Sequence, residues 1–552
     1  MAEPVAGTSS QISTGNTGVA AWRSRSRALI WKKRNLPWSD DRIAFLGHSD
    51  LPTEICDLEE PFQFFSLFIN EDIVCNIMNE TNLYITQKGF SSSTSSFVTS
   101  IEIRQFLGII IFMSVYHYPN VRAYWSKYGF THIMQTMTLN RFEKIRSVIH
   151  FNNNENHKPI GHPQHDRLHK IRPIIEHFNT KFINVAPLEQ RLSLDEQMCA
   201  SKIGHFMKQY LPNKPHKWGF KLFVLGSLSG YAYNFEIYSG KQDNCMSPDE
   251  PDLGAVGNTV IRLCRPIPRR INHIIYFDNF YTSIPLLYYL ESQGIYALGT
   301  IQRNRLGKNC KLPTQKEFMK DSIPRGTYEE QVADYEGVDI SVTCWKDNKM
   351  VTLASTYVGA EPAGTVNRYD KKDKKEITIP CPKIIKDYNA HMGGVDLMDS
   401  FLGRYRIRIK SRKWYLRLFY HMIDMAVINS WVLYKKAHIN KGTKKIMNLG
   451  EFRSDLADTL CKYKKSVENK RGRPSSSSLE REFDAKKHRG PMKPVPPKDV
   501  RTDGVDHNEK RCNTKNRCKL PGCKGFSRTE CTKCQVALCH TKERNCFAAF
   551  HT

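Results

Sequence analysis

Four aspartates and a cluster of cysteines are the residues of this chain most able to do chemistry. Asp278 closes the apolar segment HIIYF, and Asp195 follows a short apolar stretch in QRLSLDEQM. Asp396 and Asp399, in GGVDLMD, stand three residues apart, so a helix starting after the two glycines would carry both on one face. A half-buried carboxylate at a strand tip is costly unless a cation or hydrogen bonds compensate. Acids converging from two strands and a helix can hold two divalent cations ~3.5–4 Å apart. That arrangement activates a water or a 3′-hydroxyl and stabilises the leaving oxygen in phosphodiester cleavage. Oxygen-only ligands suit magnesium or manganese. Singly, each acid has an ordinary alternative: a helix cap for Asp195, a turn for Asp278, a solvated face for Asp396 and Asp399.

Of the 16 cysteines, seven fall in the last 41 residues. From Cys518 the order is Cys-x4-Cys, seven residues, Cys-x2-Cys, four residues, Cys539-His540, five residues, then Cys546-x4-His551. Thiolates and imidazoles at such short spacing are tetrahedral zinc ligands, and a segment with so few large apolar residues needs the metal to fold. Cys518, Cys523, Cys531, Cys534, Cys539, Cys546 and His551, with His540 as an eighth ligand, would fill two interleaved Zn2+ sites. His157, His162, His165 and His169 also cluster, beside Asp166, but their Pro- and Asn-rich surroundings read as a loop.

Cations interleave with aromatics next to the third acid. GRYRIRIKSRKWYLRLFYHM places Arg404, Arg406, Arg408, Lys410, Arg412, Lys413 and Arg417 around Trp414. Alternate charges in RYRIRIK predict an extended strand with one polar face that can track phosphates. Lys214, Lys217 and Lys221 form a comparable surface set, and Arg471-Gly-Arg473-Pro resembles an AT-hook core, whose arginines enter narrow minor grooves.

The elements needed to position these groups are legible. Residues 61–190 space apolar residues as buried helices do. The period then shortens: KLFVLGSLSGYAYNFEIYSG reads as two strands around Ser229-Gly230, HIIYF and YALGTI as buried strands, and DISVTCWKDNKMVTLASTYV as a hairpin turning at Asp347-Asn348. An amphipathic run covers residues 413–436, and a low-complexity basic linker precedes the cysteines. Hydrophobic residues at 40% exclude a wholly disordered chain. The longest apolar stretch, residues 106–116, is shorter than the ~18–20 residues of a bilayer crossing, and the first residues do not read as a secretory signal. We therefore expect no membrane partner. The chain carries 82 Lys+Arg against 55 Asp+Glu, a net charge of +27, and about half of the excess lies beyond residue 440. Such asymmetry favours a polyanion, most commonly nucleic acid.

The strings SLDEQM, QYLPNKPHKWGFKLFVL, YFDNFYTSIPLLYYL, DYNAHMGGVDLMDSF, WYLRLFYHMIDMAVINSWVLYKK and DRLHKIRP resemble those of piggyBac-type DNA transposases, in the family's order. The resemblance implies an α/β fold: a ribonuclease-H-like catalytic core with a β-rich insertion, flanked by an α-helical dimerisation and DNA-binding domain and a small zinc-binding cysteine-rich domain. It assigns Asp195, Asp278 and Asp396 as the catalytic metal ligands, with Asp399 as the accompanying fourth. It implies two Mg2+ (or Mn2+) per active site, two Zn2+ at the carboxy-terminal end, a homodimer, a nuclear location and double-stranded DNA as substrate. The reaction implied is cut-and-paste transposition: a nick at the terminal repeat, attack of the freed 3′-hydroxyl to form a hairpin, and integration at TTAA. Trp414 matches a tryptophan that the family keeps just after its third acid, where a base-stacking or hairpin-supporting role is expected and core packing is the alternative. The family's histidine three residues after the fifth cysteine is Lys542 here, which leaves the eighth zinc ligand open between His540 and Cys512. The expected layout is a basic arm (1–58), helical domain (59–190 and 412–468), catalytic core (191–300 and 382–411), insertion (301–381), basic linker (469–511) and zinc domain (512–552). The competing functions are a domesticated derivative that binds DNA or chromatin without cutting, and an interaction protein built on a RING- or PHD-like module.

Overall fold

The structure, a computed structural model, describes residues 29–89, 97–212, 214, 216–240, 245–371, 374–464 and 495–552. Arg471 and Arg473 lie outside the described residues. The chain divides into two compact units, Met1–Lys465 and Ser466–Thr552.

Helical spacing in residues 61–190 becomes α1 (Pro61–Ser66), α2 (Glu71–Gln87), α3 (Ser100–Val115), α4 (Leu139–Val148) and α5 (Arg172–Val185). Helix α3 starts at a capping box: Glu102 N donates to Thr99 Oγ1 at 3.2 Å, and Thr99 N donates to Glu102 Oε2 at 3.0 Å. It is buried from Ile103 to Ser114, mostly apolar, with Arg104 of that stretch paired with Glu71. Against it packs α11 (Leu449–Lys462), reached after α6 (Ala255–Cys264), α7 (Ile284–Ser292), α8 (Lys383–His391), α9 (Gly394–Arg404) and α10 (Trp414–Asn440). Gly108 permits that packing, because a Cβ there would lie 2.8 Å from Leu460 Cβ and 2.9 Å from Cys461 N.

The sheet begins with β1 (Arg191–Ala200), β2 (Lys208–Tyr210), β3 (Trp218–Ser227), β4 (Ala232–Ile237), β5 (His273–Phe277) and β6 (Ile295–Thr300). Strands β3 and β4 form the expected hairpin, with Gly230 at φ +82° in its turn. Strand β1 is antiparallel to β3 and parallel to β5, and β5 is parallel to β6. The segment expected as an insertion contributes β7 (Tyr328–Tyr335), β8 (Val338–Lys346) and β9 (Met350–Ser355), which extend the same sheet through antiparallel pairing of β9 with β6. Strands β10 (Gly364–Asp370) and β11 (Lys375–Cys381) make a separate two-stranded ribbon. Among the described residues no helix is long and apolar enough to cross a membrane.

Residues 405–413 correct one expectation. Their alternation is real, with Ile407 and Ile409 buried and Arg408, Lys410 and Arg412 exposed, but they pair with no strand. Side chains hold them extended instead. Asp424 Oδ2 accepts from Ile407 N at 2.9 Å, and the Arg417 guanidinium donates to the carbonyls of Ile407 (3.3 Å), Ile409 (3.2 Å) and Ala200 (3.0 Å). Arg453, wholly buried on α11, donates to Tyr405 O and Ser114 Oγ and pairs with the equally buried Asp424 at 2.7 Å.

Candidate functional site

The parallel ladder of β1 and β5 ends at the pair Leu194–Phe277, so Asp195 and Asp278 are the next residues on two adjacent strands. Adjacent strands lie ~4.8 Å apart, which sets the two carboxylates side by side at one end of the sheet. Strand β1 continues past this point only because β3 still pairs with it, register Asp195–Val224. Asp278 also opens a turn: its Oδ1 accepts from Phe280 N at 2.7 Å and its carbonyl from Thr282 Oγ1 at 2.8 Å. Arg305 donates to the carbonyls of Asn279 and Thr282 and so supports that turn. Asp396 and Asp399 stand on the first turns of α9, which packs on β1 and β3. Gly394 is what lets α9 come that close, since a Cβ there would lie 2.2 Å from Ser227 O.

One lysine ties three of the acids together. Lys214 Nζ is 3.7 Å from Asp195, 3.6 Å from Asp396 and 3.9 Å from Asp399. Its place inside the acid cluster corrects the reading of Lys214 as a surface cation. Lys221 is also turned inward, 3.9 Å from Glu196 and over the Phe280 ring at 4.3 Å, while Lys217 is exposed. Glu196, a neighbour that sequence reasoning passed over, also accepts from Tyr281 Oη at 3.2 Å. Burial pushes the Asp195 carboxyl up to about 7, with Lys214 opposing the shift and Glu196 adding to it. Burial pushes Asp399 up to about 6 and raises Asp278 as well. Burial works against the Lys214 ammonium, but Asp195, Asp399 and Asp396 outweigh it and raise its pKa. The pocket thus carries more negative charge than its own cations balance, and its ligand atoms are all oxygens, which fits a hard divalent cation.

Of the proposed phosphate contacts in this unit, Arg404, Arg408, Lys410 and Arg412 are exposed. Arg406 is half-buried. Arg417 is committed to backbone carbonyls, and Lys413 donates to Ser147 O, with burial drawing its ammonium down to about 8. Trp414 is half-buried and stacked on His205, ring centroids 5.0 Å apart. The four histidines of residues 157–169 act locally: His165 and His169 bond the carbonyls of Lys158 and Asn153, and Asp166 pairs with Arg172.

A pH dependence follows from the packing beneath the acids. Gln197, two residues past Asp195, has its Oε1 2.7 Å from Nε2 of the buried His421. Burial draws His421 down to about 3 and His150 down to about 4. Unfolded, each titrates near ~6.5. Below that pH the unfolded chain takes up protons that these two imidazoles refuse when folded, so their contribution to stability falls as pH drops from ~6.5 toward 4, against the opposite contribution of the raised Asp195 and Asp399 carboxyls. We expect the change in melting temperature between pH 7 and pH 5 to be less unfavourable in His421→Gln than in the parent. An identical change in both proteins would exclude a contribution from His421.

The second unit gathers two four-ligand groups. Cys518, Cys523, Cys539 and Cys546 form one, and His507, Cys531, Cys534 and His551 the other, with ligand atoms in each within 4.8 Å of one another. His540 and Cys512 belong to neither: His540 pairs with Glu509, and Cys512 donates to Glu530. The histidine that completes the second group is His507, upstream of both alternatives. A tetrahedral zinc with Zn–S of about 2.3 Å separates two sulfurs by ~3.8 Å. Cys546 Sγ and Cys523 Sγ are 3.7 Å apart, and Cys534 Sγ is 3.5 Å from both His507 Nδ1 and His551 Nε2. The remaining ring nitrogens are oriented from behind, His507 Nε2 by Asp503 at 3.0 Å and His551 Nδ1 by Phe547 O at 2.8 Å. The groups could each hold a metal ion.

Comparison with known proteins places this geometry. The family model described as Transposase IS4 matches residues 60–431. Human PiggyBac transposable element-derived protein 3 is 29% identical over 507 residues, covering 90% of this chain and 77% of that protein. Human PiggyBac transposable element-derived protein 2 is 32% identical over 74% of this chain and 66% of that protein. The chain belongs to the piggyBac-type transposase family. Its fold also matches that of a piggyBac transposase solved by cryo-EM as a synaptic complex with hairpin DNA, at a TM-score of 0.61 and 21% identity, covering 89% of this chain and 98% of the other. All four aspartates of this piggyBac-family chain lie in the first unit and inside the matched span.

Proposed function

We propose that the chain is a metal-dependent DNA transposase whose catalytic core is ribonuclease-H-like. The observation that carries this reading is the juxtaposition of Asp195 and Asp278 just past the end of the parallel ladder between neighbouring strands, with Asp195, Asp396 and Asp399 gathered around one lysine. The strand order β4-β3-β1-β5-β6, antiparallel on one side of β1 and parallel on the other, supports the fold assignment. Asp195, Asp278 and Asp396 would hold two Mg2+ or Mn2+, with Asp399 beside them. Such cations polarise the scissile phosphate and lower the pKa of a bound water or 3′-hydroxyl. The half-buried Asp195, Asp278 and Asp399 and the exposed Asp396 would supply these oxygens, and Arg305 supports the turn that presents Asp278. Exposed Arg404, Arg408, Lys410 and Arg412 supply phosphate contacts to the double-stranded DNA that the acids alone would repel. By family likeness the substrate is the transposon's terminal repeats, nicked, converted to hairpin ends and joined at TTAA by a nuclear homodimer. The two cysteine-histidine groups would each hold Zn2+. Stacking by Trp414 on a base requires it to leave His205, so the half-buried ring acts first as packing.

A second reading, DNA binding without cleavage, is supported by the human relatives' names, which mark them as derived from a transposable element. Labelled duplexes ending in TTAA-flanked terminal repeats, incubated with the full chain and Mg2+, separate the two. We expect nicks and hairpins that a chelator abolishes and that Asp278→Asn lowers by about 10³-fold or more, with DNA still bound. Binding by the parent protein without any nick would favour the second reading.

A further inference from the structure

The connection between β2 and β3 lies, along the chain, between the first and second acids, and it returns Lys214 into their midst. Three oxygens surround the ammonium at 3.6–3.9 Å, each beyond hydrogen-bond length. The attraction is therefore Coulombic and spread over three partners rather than locked by geometry to one. The side chain is 16% exposed, so this is a sheltered ammonium and not a surface cation. Leu211 N donates to Lys217 O at 2.8 Å, which closes the loop at its base. A lysine on four methylenes can swing several ångströms without moving that base.

One positive charge cannot balance Asp195, Asp396 and Asp399 together, and a pair of divalent cations would compete for the same oxygens. Like charges at ~4 Å repel strongly in a partly buried site, so the ammonium and the cations compete for the same oxygens. We propose that Lys214 is a built-in counter-ion: it holds the acid cluster together before divalent cations arrive, competes with them for its oxygens, and is displaced to the rim when they bind. This rests on the metal-site reading above. Displaced, its ammonium stands beside the site where a DNA phosphate would lie, so one side chain links cation loading to substrate contact. Lys214 is on this account a positioning residue.

The test uses the zinc-replete full chain and Mn2+ as probe, read by the loss of the free-ion electron paramagnetic resonance signal and by thermal melting. Lys214→Ala is expected to bind Mn2+ at least about tenfold more tightly than the parent, and Lys214→Arg to stay near it. Without divalent cation, Lys214→Ala should melt below the parent; saturating Mn2+ should close that gap. Lys217→Ala, which removes an exposed charge from the same loop, should change neither quantity by more than about twofold or about a degree. Unchanged Mn2+ affinity in Lys214→Ala, or a melting deficit that Mn2+ leaves in place, overturns the inference and makes the lysine purely structural. The metal-site reading fails separately: it falls if the parent binds no Mn2+, or if Asp195→Asn binds it as well as the parent does, and the inference falls with it.

Discussion

Removing zinc from the full chain is expected to unfold the described part of the second unit, residues 495–552. The apolar core there is slight, with Val536, Leu538 and Phe550 buried among the cysteines. Around it lie the ribbon of β12 (Glu509–Arg517) and β13 (Phe526–Cys531), mostly exposed on β12, a two-residue ribbon at His540–Thr541 and Arg544–Asn545, and short helices at Lys498–Arg501 and Cys546–His551. A two-stranded ribbon does not hold itself together in water. Bound zinc contributes about 10 kcal/mol or more to the folding of such modules, far beyond what three buried apolar side chains provide. Hydrogen exchange should show the amides of β12 and β13 losing protection once a strong chelator is added. Two zinc ions per chain are expected in the parent and in His540→Ala, and about one in His507→Ala or Cys531→Ser. Retention of both ions by His507→Ala would contradict the assignment of that histidine.

The next largest effect is expected at the buried pair of Asp424 and Arg453. Each side chain is 0% exposed, and each also holds backbone: Asp424 the amide of Ile407, Arg453 the carbonyl of Tyr405. Asp424→Ala leaves a guanidinium without its anion in the interior, a loss of about 3–5 kcal/mol. Chemical denaturation should report that loss. The pair Asp424→Leu with Arg453→Met should recover much of it, because the isolated charge is then gone. The exposed cations of residues 405–413 owe their extended path to these two residues. DNA affinity of the double variant should therefore fall even where stability returns. Wild-type affinity in that variant would show that the segment keeps its path by other means.

How much of this was legible beforehand depended on whether a signal was local. The helices of residues 61–190, the hairpin at Ser229-Gly230 and the strand ending at Asp278 announced themselves through apolar period and turn residues, which are properties of a few neighbouring positions. The acids stood out because an aspartate closing an apolar strand is uncommon without a partner. His507 was missed because the search for ligands began at the cysteines; its signal was present in Asp503-x3-His507, a histidine with an acid one helical turn before it, just ahead of a basic strand. Lys214 looked like one of three surface lysines, since nothing in PNKPHKWGFK says which one turns inward. The alternation of RYRIRIK was read correctly as an extended face, but the partner that extends it is a side chain 17 residues beyond Ile407 and another 29 residues further still. Asp424 and Arg453 are charges on helices, and a sequence cannot distinguish a charge on a solvated face from one that meets its opposite at the centre.

The parallel pairing of β1 with β5 has a consequence for what evolution or an engineer can change. Interstrand spacing is a property of the peptide backbone, so the gap between the first two acids is measured by a ruler that no side chain can recalibrate. The loops strung between these strands can lengthen or shrink so long as β3 still pairs with β1. Sliding either strand by a single residue would instead turn one carboxylate to the opposite face of the sheet and part the two, with every acidic residue still in the gene.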